Sequence, residues 1–383
     1  MQARTKVEIL NSSLERIAEV RSLYPINESG DVLEYSKELS DYGAARFRVS
    51  TKDPLVQTDD ILQPHRYHVR IVRGTEVVWQ GAIIDNPQRN KNFVEVKAVQ
   101  YVWYLSKILI RRDAETTAGD GLDSFKLFNS GTMKTAVTTI INNAASDFGS
   151  PHLLNGMTAG TIENPGFPDT FAPDFTGAWT FSSTMQLQFD YHPALYVLQS
   201  FGIYSNSDFE LNEDLAFNFK KVIGVRRFDY SLQYGTNGNI VDYNLPRLGG
   251  RMVNDLTGIA ATDDGVILHS NQRDEASVNT YGQLQESVAY SDLKNKNLLR
   301  KRLSEQLRFY KDPESSPMNL ILDEKAYPIG QYDIGDVLLV KIKDHAIDYR
   351  DWRRIVGITV RVHNTGREIM VVQTNVPRDE QLV

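Results

Sequence analysis

Two hydrophobic periods alternate along the chain. Residues 1–112 follow the two-residue period of strands. In NFVEVKAVQ, Phe93, Val94, Val96, Ala98 and Val99 are set against Glu95, Lys97 and Gln100. KVEIL and residues 32–49 read as further strands. HRYHVRIVRGTEVVWQGAIID reads as a hairpin with Arg73-Gly74-Thr75 as its turn. The aromatic and aliphatic run QYVWYLSKILIRRD closes the block. Several short strands with tight turns predict a small barrel or sandwich.

The period then changes. Met133, Ala136, Val137, Ile140, Ile141, Ala144, Ala145 and Phe148 fall on one face of a helix, which Gly149 ends before Pro151. Residues 151–178 are rich in Gly, Pro, Thr and Asn, and are too long for an ordinary connection, which predicts an interaction loop or a loosely ordered segment. HPALYVLQSFG predicts a short helix from Pro193 to Gly202. From residue 204 the β pattern returns, with hairpin signals at Asn237-Gly238 and Asp264-Gly265. Leu299, Leu303 and Leu307 then mark one face of a second helix whose other positions are rich in Lys and Arg, with Asp312-Pro313 as its stop. Residues 313–383 read as a β meander. No heptad array or short-period repeat is present.

Composition narrows the function classes. The chain has 383 residues, 41% of them hydrophobic, enough for roughly two to four small domains. Cysteine is absent, which excludes disulfides, thiolate metal sites and cysteine nucleophiles together. The net charge of −7 fits ordinary solubility first; it also argues against a surface that grips nucleic acid and would suit one that DNA slides past. No apolar run is long enough to predict a membrane span, and MQARTKVEIL lacks the apolar core of a signal peptide.

Several motifs could carry chemistry. Gly330 and Gly335 have the G-x-x-x-x-G spacing of a phosphate loop. Such a loop continues with Lys and Ser or Thr and opens a helix. Here Asp336 and Val337 follow, and VLLVKI predicts a strand, so no helix N-terminus faces an anion. The glycines are therefore read as turn residues, with Asp333 and Asp336 bonding their own turn backbone. His65 and His68, the close pair among the histidines, sit three apart on a strand and point to opposite faces, so surface or interface roles are expected of them. DEKAYPIGQYD and DHAIDYRDW place acids beside aromatics, a weak carbohydrate-like signal. Arg300–Arg308, Arg111/Arg112 and Arg353/Arg354 are basic runs among acidic neighbours, expected to form solvated faces or intersubunit ion pairs. No catalytic, cofactor-binding or metal-binding residue is assigned, no cofactor is implied, and the chain is read as not an enzyme.

Two stretches carry a resemblance. VLEYSKELSDYGAARFRVSTKDPL, followed by HRYHVRIVRGTEVVWQGAIIDNPQRNKNFVEVKAVQYVWYLSKILIRRD, resembles the N-terminal barrel of phage tail-hub proteins. YSDLKNKNLLRKRLSEQL, YPIGQYDIGDVLLVKI and WRRIVGITVRV resemble the second β domain of the same family. These are the baseplate-hub or tail-tip hub proteins of tailed phages, related to contractile-phage baseplate hubs. The resemblance covers both ends, and the middle matches in style only.

The resemblance implies an α+β, mainly β chain with two small β-barrel domains of tail-tube or hub type and helix-containing insertions. Residues 1–112 would be the first hub barrel and 113–203 a helical or mixed insertion with the long Gly/Pro-rich loop. Residues 204–290 would begin the second barrel and an adjoining domain, 291–312 an amphipathic helix, and 313–383 the closing meander. A homotrimer would form a ring joining the sixfold tail tube to the threefold tip, with DNA passing through its channel. Expected partners are the tail tube or distal tail protein, the tape-measure C-terminus, and a central fibre or spike. The expected place is the distal end of the tail in the virion, after synthesis in the host cytoplasm. The chain ends at Val383, which leaves no room for an appended hydrolase or receptor-binding domain. The alternative reading is a carbohydrate-binding or peptidoglycan-degrading tail-tip protein.

Overall fold

The computed structural model describes residues 5–57, 62–110, 126–128, 133–148, 152–164, 187–189, 192–236, 238–245, 252–261, 265–290, 293, 296–312, 317–323, 331–344, 347–378 and 381. It is mainly β with several helices, and one large mixed sheet dominates it.

The first block supplies β1 (Thr5–Leu10), β2 (Arg16–Glu19), β3 (Leu23–Tyr24), β4 (Asp31–Glu38) and β5 (Ala44–Ser50). The one-turn helix α1 (Pro54–Gln57) precedes β6 (His68–Arg73), β7 (Glu76–Asp85) and β8 (Phe93–Val99). These strands pair in the order β1-β6-β7-β8-β5. The expected turn joins β6 to β7, with Arg73 opposite Glu76 and Gly74 at φ +66°. The run of residues 16–24 pairs with β1 through β2 and with β5 through β3. The sheet thereby returns upon itself as a ring.

The helical middle contains β9 (Lys126–Phe128), α2 (Met133–Phe148), β10 (Thr158–Ile162), β11 (Leu187–Phe189), α3 (Ala194–Ser205), β12 (Asp208–Leu211) and β13 (Ala216–Lys220). Seven of the apolar positions expected on the face of α2 are buried, and Phe148 packs half-buried against the same core. Two expectations change here. Residues 152–164 are not an irregular loop: they form a 3₁₀ turn at Leu153–Gly156 and then β10, which pairs in parallel with β13. The rest of that segment, and the Gly149 and Pro151 stop, lie outside the described residues. Helix α3 also runs through Gly202 to Ser205 and ends at Asn206 in the left-handed conformation.

The last part contains β14 (Arg226–Tyr234), β15 (Ile240–Asn244), β16 (Asp255–Ala261), β17 (Ile267–Arg273), α4 (Glu275–Tyr281), β18 (Gln285–Tyr290) and α5 (Lys296–Tyr310). β19 (Met318–Asp323), β20 (Val337–Asp344), β21 (Ile347–His363) and β22 (Glu368–Asn375) follow. β16 and β17 make the expected hairpin, and β18 completes a small separate sheet. Leu299, Leu303 and Leu307 of α5 are buried. A Cβ on Gly258 in β16 would lie 2.7 Å from Leu299, so the missing side chain sets how closely helix and sheet approach. The hairpin expected at Asn237-Gly238 is not formed. β14 and β15 run parallel, linked at Tyr234 and Ile240, because β15 takes β19 as its antiparallel partner. β21, β20, β14, β15, β19 and β22 form a second ring, closed by the pairing of β21 with β22.

β4 joins the rings. Leu33–Tyr35 pair with β5, while the other edge of β4 pairs with Gly357–His363 of β21. Trp79 of β7, buried in the first ring, donates its indole N–H to the Ser36 carbonyl at 2.9 Å. One apolar core fills both rings and a second lies among α2, α3, α5 and the small sheets. Arg73 of the first ring pairs with Glu368 of the second at 2.7 Å, both buried. Removing one partner of a buried ion pair strands the other. Glu368→Ala should therefore destabilise the protein by about 3 kcal/mol in urea unfolding. Glu275→Ala, which removes the exposed pair with Arg273, should change stability by less than about 0.5 kcal/mol.

Candidate functional site

The glycine-spaced turn leads to a densely hydrogen-bonded part of the molecule. Gly330 lies outside the described residues. Gly335 has φ +90°, and a Cβ there would sit 2.4 Å from the Ile223 carbonyl. Gly224, at φ +85°, faces it backbone to backbone, since its own Cβ would meet the Gly335 carbonyl carbon at 2.1 Å. Two chain segments thus touch where neither tolerates a side chain. Asp336 follows, buried. Its carboxylate accepts from Val225 N at 2.8 Å, from Asp333 N at 3.2 Å and from Arg227 at 3.0 Å. Asp333 accepts from Ile334 N and pairs with Lys37 of β4 at 3.1 Å. The turn feeds β20, as the sequence predicts.

Beneath the turn lies a charge cluster that sequence reasoning missed. Asp208, at the start of β12, is buried between Arg354 of β21 and Arg378. Its carboxylate accepts from Arg378 at 2.8 Å, from both terminal nitrogens of Arg354, and from Ile223 N at 3.0 Å. Arg354 also donates to the carbonyls of Ile223 and Gly335. Gln381 donates to the same Gly335 carbonyl at 3.0 Å. Arg353 and Arg354 are therefore buried, not solvated as expected. Arg353 donates to the Tyr349 hydroxyl at 2.5 Å and lies near Asp351. The carboxylate that pairs with Arg354 comes from an element far away in sequence, so no local pattern marks it, whereas the partners of Arg353 lie on its own strand.

A second polar centre joins the first ring to α2. His65, at φ +61°, lies 3.3 Å from the Tyr104 hydroxyl through Nδ1. His152 stacks on Phe148 at 4.6 Å, meets Tyr104 edge-on at 4.9 Å, and accepts the Leu154 backbone N–H on Nδ1. His68 is 4% exposed, against the surface role expected for it, and packs edge-on to Tyr101. His65 lies in the turn before β6 and not on the strand expected to carry both histidines. Burial, then the nearby His152, lowers the His68 pKa to about 4. Burial, then His65, lowers that of His152. Burial also raises Tyr104 to about 12. Burial thus disfavours the charged form of His68 and of His152.

A cleft of about 850 Å³ opens between α3, α5 and the large sheet. Tyr290, Arg302, Phe309, Asn206 and Arg378 line it, and Glu38 and Asp41 reach its edge. Glu38 is accessible, yet partial desolvation by the walls, then Asp41, raises its carboxyl pKa. Among the described residues no group of three His, Cys, Asp or Glu side chains could hold a metal ion, and no helix is long and apolar enough to cross a membrane. The acid-and-aromatic stretch DHAIDYRDW is spread along β20 and β21: Tyr349 bonds Asp351, and Tyr243 bonds Asp344. Arg111 and Arg112 lie outside the described residues.

Two outcomes test these centres. Gly335→Ala should destabilise the protein by more than about 2 kcal/mol in urea unfolding. Gly366→Ala, at φ +83° with nothing within 4 Å, should cost only about 1 kcal/mol. As pH falls below 6.5, the unfolded chain takes a proton at His68 that the folded chain refuses until about pH 4. Stability is thus lost across that window, by up to roughly 3 kcal/mol. His68→Phe should flatten the slope when unfolding is followed from pH 7 to 4.

No protein-family model matches the sequence, and no curated protein does either. Solved structures do. The 43 kDa tail protein of prophage MuSo2 from Shewanella oneidensis aligns with a TM-score of 0.62 at 12% identity, over 97% of this chain and 98% of that one. A tail protein from Neisseria meningitidis aligns with a TM-score of 0.61 at 11% identity, over 98% and 97%. Prophage tail protein gp18 from Listeria monocytogenes aligns with a TM-score of 0.56 at 12% identity, over 96% and 94%. The resemblance read from the two ends of the sequence thus extends over the whole chain, which has the fold of phage and prophage tail proteins.

Proposed function

We propose that this protein is a structural tail-hub component. The observation that carries the reading is the match of the entire chain, end to end, to tail proteins from three bacteria. The two strand rings are read as two hub barrels, one from residues 1–112 and one begun in 204–290, which also holds an adjoining domain, and closed by 313–383. Each ring has a comparable strand number, and β4 locks them side by side. Three chains would then set six similar barrels around one axis. Such a ring presents sixfold pseudosymmetry to a tail tube and threefold symmetry to a fibre or spike.

In this reading residues 113–203 and the helix at 291–312 stand outside the two barrels. The tail tube or a distal tail protein would meet one rim, and the tape-measure C-terminus or a central fibre the other. DNA would pass in transit, and the net charge of −7 per chain would keep its backbone from adhering. The role is scaffolding at the distal end of the virion tail, with no catalytic step assigned to any residue.

Mass photometry and negative-stain electron microscopy test the assembly. The expected result is a three-chain particle with a central opening. A monomer at every concentration up to the solubility limit, with or without a cognate tail-tube protein, would overturn the ring.

A further inference from the structure

The cleft of about 850 Å³ lies where the first ring, the helical middle and the second ring meet. Its walls come from the turn between β4 and β5, from α3, from α5 and from β22. Cavities of about 300–1,000 Å³ are the size that holds bound molecules.

Glu38 and Asp41 stand at one edge of it. The turn that carries them is fixed from three sides. Leu39 N donates to the Val356 carbonyl at 3.0 Å, and Gln199 of α3 donates to the Ser40 carbonyl at 3.3 Å. The Ser40 hydroxyl accepts Phe209 N at 3.1 Å. Ser40 itself has φ +58°, a conformation costly for a residue with a side chain. The fold therefore holds two carboxylates together against both strain and repulsion. Glu38 has no hydrogen bond or ion pair among the described residues, and Asp41 accepts only its neighbour Tyr42 N. Burial, then Asp41, raises the Glu38 carboxyl pKa, which a cation placed beside it would relieve.

Helix α5 brings the opposite charge. The Arg302 guanidinium lies 5.9 Å from the centre of the Tyr290 ring and has no carboxylate partner among the described residues. An occupant that answers all three charges carries a cation and an anion on one molecule. A nucleic acid offers anions alone, and Glu38 and Asp41 repel it.

The uncharged lining narrows the choice further. Ile203, Phe309 and Tyr310 present exposed apolar or aromatic surface to the cleft. Four carboxamides line it as well, and each keeps bonding capacity among the described residues. Gln199 uses its amide nitrogen on Ser40, Gln306 its oxygen on the Tyr290 hydroxyl, and Asn375 its oxygen on Val376 N. Gln373 uses neither. A carboxamide both donates and accepts, which is the pairing a peptide group requires. Charges of both signs, apolar side chains and unpaired peptide groups occur together on an extended polypeptide.

We infer that this cleft docks an extended peptide segment of a partner protein, with a Lys or Arg of that segment against Glu38 and Asp41 and an Asp or Glu against Arg302. The inference goes beyond the hub reading and does not depend on how many copies assemble.

Fluorescence anisotropy on the full chain tests it, with short blocked peptides selected from a random library by mRNA display on the wild-type protein. The selected peptides should carry both a basic and an acidic residue. Arg302→Glu and Glu38→Lys should each weaken their binding about tenfold at low salt. Changing the acidic residue of the peptide to lysine should restore binding to Arg302→Glu. Glu275→Ala, outside the cleft, should leave affinity unchanged. Native folding is checked by circular dichroism, and Arg302→Gln and Glu38→Gln serve if a reversal variant unfolds. Selection of no binder, or of binders that none of these cleft variants affects, would overturn the site. A single-stranded oligonucleotide that binds wild type and not Arg302→Glu would overturn the peptide as occupant. So would self-association that Arg302→Glu abolishes, since the occupant would then be a second copy of this chain. Neither result bears on whether wild type forms the three-chain ring.

Discussion

The structure depends on one strand having more partners than a single sheet position can offer. β21 is 17 residues long, which at strand rise spans roughly 56 Å. Its first half pairs with β20. Its second half is flanked by β22 on one edge and by β4 on the other. Backbone donors and acceptors that are removed from water must be paired, so this strand can be buried only if ring closure and ring joining occur together. The sheet is therefore continuous across both rings, and neither ring can tilt against the other without breaking backbone hydrogen bonds.

The charge clusters reinforce that geometry. Asp208 ties the start of β12 to β21 and to the C-terminal residues through Arg354 and Arg378. The turn at Gly335 passes directly above and lends its carbonyl to the same arginine. Buried ion pairs add little net stability, yet they penalise every arrangement that leaves one charge unpaired. Here they fix the helical middle against the second ring, while the packed histidine and tyrosine rings fix it against the first.

Much of the local structure could be read from residue order. Helix α2 follows the apolar face running from Met133 to Ala145, and the α5 core contact follows Leu299, Leu303 and Leu307, because periodicity is a local property. The Gly74 turn and the entry of Asp333–Asp336 into β20 were equally legible, since turn chemistry needs only neighbouring residues. The errors came where distant partners outweighed local preference. Asn237-Gly238 signals a hairpin, but β15 gains more by pairing with β19. Gly202 is a plausible helix end, but the helix continues to Asn206 beneath the charge cluster. Arg354 looks solvated until Asp208 is brought to it from 146 residues away.

By itself the sequence determined the β-rich ends, the two amphipathic helices, the absence of cysteine chemistry and the failure of the glycine pair as a phosphate loop. Each of these depends on residue type and short-range spacing. Only the tertiary structure decided that residues 16–24 close one ring, that β4 joins both, and that Asp208 gathers two arginines. It also decided that Glu38, Asp41 and Arg302 line one cleft. Those outcomes depend on which backbone edges and which charges find each other, β3 with β5 nearby and β4 with β21 from opposite ends of the chain, and no local period encodes that choice.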